Sequence, residues 1–305
     1  MHGAAVIFIA ASLSFVLVHL APGDPFSGTL DSPLLDPAAK DAVRQAYGLD
    51  GSVAEQYVRF LAQLARGNLG PSLLQSRPAV DALADALPPT LLLMGTSLIG
   101  SFVIGILLGA WQATRATSRS DRLAGAVSLV VASLPEFWLG LVLLLLLAYR
   151  FPVFPASGMV DVVTGGGLVR HLVLPALTLT LLGAASIARY QRTAVLDVLP
   201  QDYVRTARAK GVSERGVLWR HALRNALVPT VVLAGLSLPT LLGGAVFVER
   251  IFSWPGMGGL AADAFNARDY QVVIGATIIG AVLVVVGGIL TDVLHAAVDP
   301  RVRVR

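Results

Sequence analysis

The chain has 305 residues, of which 55% are hydrophobic and 14% charged; a soluble domain usually ionises about a quarter of its residues, so much of this chain has a solvent other than water. The absence of cysteine excludes disulfides, thiolate metal centres and cysteine nucleophiles, and the five histidines form no metal-ligand pair. The net charge of +4 acquires meaning only from where the charges fall.

A spanning helix needs about 20 mainly apolar residues, each advancing about 1.5 Å through roughly 30 Å of hydrocarbon. Gly3 to Leu20 is the first stretch of this kind. It has no cationic n-region, since no Lys or Arg precedes Lys40, so it reads as a span and not as a signal peptide. Leu20 to Pro89 is then an external segment. Within it Val53 to Arg66 places Tyr57, Phe60, Leu61 and Leu64 at helical spacing, and GNLGPS from Gly67 to Ser72 reads as a turn. No element is expected from Asp24 to Asp50, and the segment reads as a small lid.

The second span is expected at Thr90 to Trp111, where Gly105 and Gly109 make a small-xxx-small face that lets another helix approach. The third, Leu123 to Ala148, carries Pro135 and Glu136 near its middle. An ionisable group there costs about 2.5 kcal/mol or more, which makes Glu136 a candidate for the translocation path; a kink-associated structural carboxyl is the competing reading. The fourth, Leu172 to Ile187, is short and contains Pro175, so it begins earlier or is broken. The fifth and sixth are expected at Ala226 to Val248 and Val272 to Leu294. Between them Glu249 to Gly259 combines Phe252 and Trp254 with the Pro255-Gly256 turn, and reads as an external hairpin or re-entrant loop with Trp254, Pro255 and Gly256 at its tip.

The fold class expected is therefore all-α, a polytopic membrane protein with six transmembrane helices forming one domain over residues 1–305. The external loop is 21–89 and the long basic loop is 188–225. The connections on one face carry +2, +5 and +2, whereas those on the other carry −3, +1 and −1. Positive loops stay cytoplasmic, which places the 188–225 loop and both termini inside. This topology also accounts for the basic residues without nucleic acid, whose grooves would interleave aromatics with the charges.

The cytoplasmic loop is the most informative segment. Pro200 suits the first turn of a new helix, Tyr203 and Ala207 fall on one face, and Arg205 and Arg208 point elsewhere. Gly211 then supplies a left-handed stop, and Ser213 caps the next helix. An interfacial segment held among lipid headgroups would share this pattern.

RTARAKGVSERGVLWRHALRNALVP narrows the choice. It resembles the conserved cytoplasmic loop of ABC importer permeases in the dipeptide, oligopeptide and nickel branch. HLAPGDPF at His19 to Phe26, VERIFSWPGMGGL at Val248 to Leu260, ARDYQVV at Ala267 to Val273 and DPRVR from Asp299 extend the resemblance over nearly the whole chain. It departs from the general pattern of these permeases in having Arg205, Thr206 and Ala207 in place of Glu-Ala-Ala, which fits the peptide and nickel branch. It also lacks the short basic arm usual ahead of the first span, so orientation rests on the later loops.

The resemblance implies the type I ABC importer permease fold in a bacterial or archaeal inner membrane. It implies that Asp202, Tyr203, Arg205, Ala207, Lys210 and Gly211 couple the chain to an ATPase, and that Phe252, Trp254, Pro255 and Gly256 meet the binding protein or gate the path. The expected partners are a second permease, identical or related, two ATP-binding subunits and an extracytoplasmic solute-binding protein. No G-x-x-x-x-G-K-[ST] loop is present, so ATP is expected on the partner subunits and not on this chain. No catalytic residue, metal site or cofactor of its own is expected. The solute is a peptide or a peptide-like compound, with nickel chelates, glutathione or oligosaccharides as alternatives. An intramembrane enzyme would need H-E-x-x-H, G-x-S-x-G or paired aspartates. A secondary transporter would show internal repeats and several embedded charges, and an exporter is commonly fused to its nucleotide-binding domain.

Overall fold

Hydrocarbon offers the backbone no hydrogen-bond partner, so apolar runs of this length satisfy their own N–H and C=O groups as helices. The computed structural model describes residues 2–20, 51–72, 74–161 and 166–298, with side chains described for all of these except residues 2, 232, 234–244 and 294–298. The expected motif residues 21–26, the stretch 24–50 and the tail from 299 lie outside the described residues. The regular elements among the described residues are helices joined by turns and loops, and the one β pairing among them is an isolated bridge between Pro71 and Pro78.

In chain order the helices are α1 (His2–Leu20), α2 (Val53–Ala65), α3 (Ala79–Thr114), α4 (Arg119–Ser133), α5 (Glu136–Leu144), α6 (Leu168–Val198), α7 (Asp202–Ala209), α8 (Leu223–Ile251), α9 (Met257–Asn266) and α10 (Tyr270–Val298). A π-helical turn, Leu145–Arg150, continues α5, and another, Val217–Ala222, leads into α8. Among the described residues, four helices are long and apolar enough to cross a membrane, on α1, α3, α6 and α10; α4 with α5 and its continuation makes a fifth crossing if the bent pair is one span. The 29 residues of α8 cover the expected fifth span.

Three expected boundaries change. The second span begins at Ala79 and not at Thr90, because α3 runs unbroken through Pro88 and Pro89 and takes in residues expected in the external segment. The fourth begins at Leu168 and ends at Val198, so it is longer than Leu172 to Ile187 and is continuous through Pro175. The third, Leu123 to Ala148, is not one helix. Its halves are bent by 105° at Leu134-Pro135. Proline has no N–H to donate and biases the residue before it towards extended backbone; Leu134 adopts φ −76° and ψ 139°.

The chain forms two compact units, Met1–Thr90 with Pro255–Val285, and Leu91–Trp254 with Val286–Arg305. In the first, Ser52 and Glu55 form a capping box at the start of α2, and Phe15 of α1 packs against Tyr57 and Phe60 of α2 with ring centroids 5.2 and 5.4 Å away. The turn after α2 is tied to the start of α10 by buried Asp269, which accepts hydrogen bonds from Ser72 Oγ at 2.5 Å and the Leu74 N–H at 2.9 Å. Leu83 of α3, Met257 and Ala264 of α9, and Val272 of α10 share its core.

In the second unit α6 packs against α4, α5 and α8. It also meets α3 through small residues, the route by which membrane helices approach closely. A Cβ added at Gly105 would stand 2.7 Å from Ile187 Cβ, and one at Gly109 would collide with the Ala188 carbonyl and stand 2.9 Å from the Arg192 nitrogen. The expected Gly105 and Gly109 face is thus the seam between α3 and α6.

Backbone atoms cannot swing aside as a flexible side chain does. Gly109→Ala is expected to destabilise the protein by about 2 kcal/mol, read as a lower thermal-inactivation temperature in detergent. Gly95→Ala, whose Cβ meets nothing within 4 Å, is the control expected to stay near wild type.

Candidate functional site

The basic segment between α6 and α8 is built from a short turn, a short helix and a cap. Gln201, extended at φ −67° and ψ 150°, precedes the first residue of α7. Pro200 therefore lies in the connecting turn, whereas the sequence places it in the first helical turn. Past the eight residues of α7, Gly211 adopts φ +79° and its N–H donates to the Arg208 carbonyl at 2.9 Å, the left-handed stop that glycine accommodates without strain. Ser213 Oγ accepts the Gly216 N–H at 3.3 Å, so the expected cap is present.

The helix lies on its apolar side. Val204 and Ala207 are buried with Val217 of the π turn, and Val198 and Val212 pack around them. Tyr203, expected on the same face as Ala207, remains 42% exposed; the buried pair is Val204 and Ala207, three residues apart. Arg208 locks the assembly, donating through Nε and Nη2 to both carboxylate oxygens of Glu214 at 2.9 and 3.2 Å and through Nη1 to the Leu199 carbonyl at 3.4 Å. Asp202, Arg205, Lys210 and Gly211 are exposed, and the Arg205–Asp202 pair at 3.7 Å is open to water on both sides, where such pairs contribute little.

The arrangement is a pre-ordered, mostly basic surface on an apolar foundation. It carries no nucleophile-base pair, and no group of His, Asp and Glu able to hold a metal occurs among the described residues.

Two further contacts tie α6 to its neighbours just before this segment. Gln191 is fully buried and bonds α8, accepting from Thr230 Oγ1 at 2.6 Å and donating to the Ala226 carbonyl at 3.3 Å. Arg192 makes a two-pronged ion pair with Asp121 of α4, Nε to Oδ1 at 2.8 Å and Nη2 to Oδ2 at 2.7 Å. Asp121 is buried and also accepts the Thr117 N–H at 3.0 Å. Sequence reasoning counted Asp121 and Arg192 as loop charges; nothing in their spacing signals that they meet.

Glu136 is the first residue of α5, half-buried, immediately after the break. One turn on, a Cβ at Gly140 would contact Ile251 and Phe252 at 3.4 and 3.5 Å, so α5 and the end of α8 are packed together. The expected external hairpin or re-entrant loop at Glu249 to Gly259 is a tight turn between two helices. Helix α8 extends to Ile251 and α9 starts at Met257, which leaves a turn in which Ser253 adopts φ +48°. Phe252 and Trp254 are not at an exposed tip. They are 1% and 2% exposed and pack with Leu93, Leu174, Leu179 and Val248, since burial of two large aromatics outweighs their use as surface anchors. Pro255 is exposed and Gly256 is buried, preceding α9.

Comparison with known proteins bears on this arrangement. The family "Binding-protein-dependent transport system inner membrane component" matches residues 86–304. The chain is 42% identical over 294 residues to the oligopeptide transport system permease protein AppB of Bacillus subtilis, covering 95% of this chain and 93% of that protein. It is 36% identical over 297 residues to the glutathione transport system permease protein GsiC of Escherichia coli K12, covering 97% and 94%. Its fold is similar to a chain of the MetNI methionine ABC transporter solved in inward-facing conformations, with a TM-score of 0.53 at 22% identity, covering 72% of this chain and 94% of that one.

The buried and exposed sides of α7 are expected to respond differently to substitution. Val204→Asp sets an unpaired charge against Val217 and should destabilise the segment by about 3 kcal/mol or more, seen as faster limited proteolysis between α6 and α8. Tyr203→Ser, on the exposed side, should alter proteolysis by no more than about 0.5 kcal/mol equivalent.

Proposed function

The chain belongs to the family of binding-protein-dependent transport system inner membrane components, and from that premise we propose that it is the permease subunit of an ATP-driven importer of peptides or peptide-like solutes. It lies in the cytoplasmic membrane with both termini inside. It forms the translocation path with a second permease and takes its energy from two separate ATP-binding subunits, while an extracytoplasmic binding protein delivers the solute. The chain hydrolyses no ATP itself, having no phosphate-binding loop. Oligopeptide and glutathione, named for two relatives, share peptide chemistry, which supports that solute class over nickel chelates or oligosaccharides.

The observation that carries this reading is the exposed surface of Asp202, Tyr203, Arg205, Lys210 and Gly211 on a foundation fixed to α6 and the π turn. Ala207 belongs to the foundation and not to the surface. A closing pair of ATPase subunits moves such a segment as one body, and the attached spans rock between inward- and outward-open states. Glu136, at the break in the third crossing, lines the path in this reading. The turn with Phe252, Trp254, Pro255 and Gly256 is a gate whose aromatics are held inside and whose contact with the binding protein is made by Pro255 and its exposed neighbour Ser253.

Gly211 offers a test in which an added Cβ meets no atom of this chain within 4 Å, although its left-handed backbone strains most residues, which the asparagine control addresses. Gly211→Asp should leave insertion intact yet lower ATP-driven uptake by roughly tenfold, whereas Gly211→Asn, which tolerates left-handed backbone, should retain more. Wild-type uptake and ATP stimulation in Gly211→Asp would refute docking there. In the same assay Glu136→Gln should alter the uptake rate or its pH dependence with assembly unchanged; full activity of Glu136→Leu would remove Glu136 from the path.

A further inference from the structure

Helix α6 is joined to the docking segment by a turn too short and too well bonded to act as a hinge. The Leu199 N–H donates to the Val195 carbonyl at 3.0 Å and the Gln201 N–H to the Val198 carbonyl at 3.1 Å. Arg208 reaches back to the Leu199 carbonyl, and Val198 packs both against the apolar foundation of α7 and beside the cluster of Ala110, Val195, Leu218 and Ala226. A displacement applied to α7 is therefore applied to α6.

The first half of the broken crossing, α4, is gripped at its start by that same part of α6. Both carboxylate oxygens of Asp121 are engaged by the fork of Arg192, and Oδ2 also accepts the Thr117 N–H. The Asp121 N–H donates to Ser118 Oγ at 3.1 Å, so the carboxylate is integral to the cap that starts α4. Asp121 is 4% exposed. A planar two-pronged pair fixes direction as well as distance, and with one partner buried it does not exchange freely for water. At the other end of α4 lie Leu134 and Pro135, where the crossing bends and Glu136 begins α5.

We propose that the Asp121–Arg192 pair is the coupling clamp of this permease, transmitting the movement of the docking segment through α6 to α4 and so to the bend at Leu134-Pro135. Asp121 and Arg192 are positioning residues and touch no solute. The inference rests on the importer reading above. The bend is the compliant point of the path, since the backbone there lacks the helical hydrogen bond that Pro135 cannot donate. The clamp turns a push at the cytoplasmic surface into a change of angle inside the membrane.

The test uses the complete importer, reconstituted in lipid vesicles with its ATPase subunits and binding protein, and reads solute taken up per ATP hydrolysed. Asp121→Asn and Arg192→Gln should assemble and hydrolyse ATP while uptake per ATP falls by roughly tenfold. Arg192→Lys, which keeps the charge but not the fork, should fall between these and wild type. The exchanged pair, Asp121→Arg with Arg192→Asp, should recover uptake per ATP relative to either half of the exchange alone. A merely structural pair would change the amount of complex and not this ratio. An unchanged ratio in assembled Asp121→Asn or Arg192→Lys overturns the proposal, as does failure of every variant, the lysine one included, to assemble. Failure of the importer reading shows separately, as wild-type vesicles that take up no peptide with ATP.

Discussion

Inside a bilayer, lipid is as apolar as a leucine side chain, so helices are held together by close packing and by polar groups that have no better partner. In the second unit of this chain those devices converge on α6. Its small residues admit α3 so closely at Gly109 that a single methyl group would strike backbone. Its buried Gln191 bonds α8, and its Arg192 clamps α4. The other features of this end of the unit follow from this one helix being held on three sides and continuing, after a short bonded turn, into the exposed basic segment.

That arrangement suits a permease that must borrow its energy. A segment that docks on a separate ATPase transmits work only if it does not yield locally. Here the short α7 is stiffened from below by Val204, Ala207 and Val217 and from the side by the Arg208–Glu214 pair. The bend at Leu134-Pro135 supplies the opposite property, a place inside the crossing region where a helix is already interrupted.

The chain's class and the approximate places of its long apolar helices, though not their ends, were legible because both follow from length and apolarity, which are local. Helix α2 with its Ser52 cap, the glycine stop at Gly211 and the Gly105 and Gly109 face were legible for the same reason. The prolines were not. Pro88, Pro89, Pro175, Pro229 and Pro239 lie inside helices and Pro78, Pro135 and Pro200 close to helix ends, yet only Pro135 coincides with a break inside an expected span; the outcome depends on whether neighbouring packing compensates the missing hydrogen bond, which no short window of sequence reports. In α7 the spacing groups Tyr203 with Ala207 but not the buried pair Val204 and Ala207, because an eight-residue helix offers too few turns to fix which side packs. Trp254 reads as a tip residue because an aromatic beside a Pro-Gly turn fits an interface as well as a core. Asp121 and Arg192 are far apart in the chain, and a long-range ion pair leaves no mark on either local pattern.

The central claim, that residues 202–211 are the surface on which an ATPase subunit docks, is tested most directly by crosslinking in the native membrane. The chain has no cysteine, so Arg205→Cys, at a position 70% exposed, introduces a unique thiol of the permease beside the proposed contact. A short thiol-directed crosslinker on this residue is predicted to capture an ATP-binding subunit of the assembled importer, with a yield that changes when ATP is bound. Capture of lipid alone, with the ATPase subunits present and the complex active, would contradict the account.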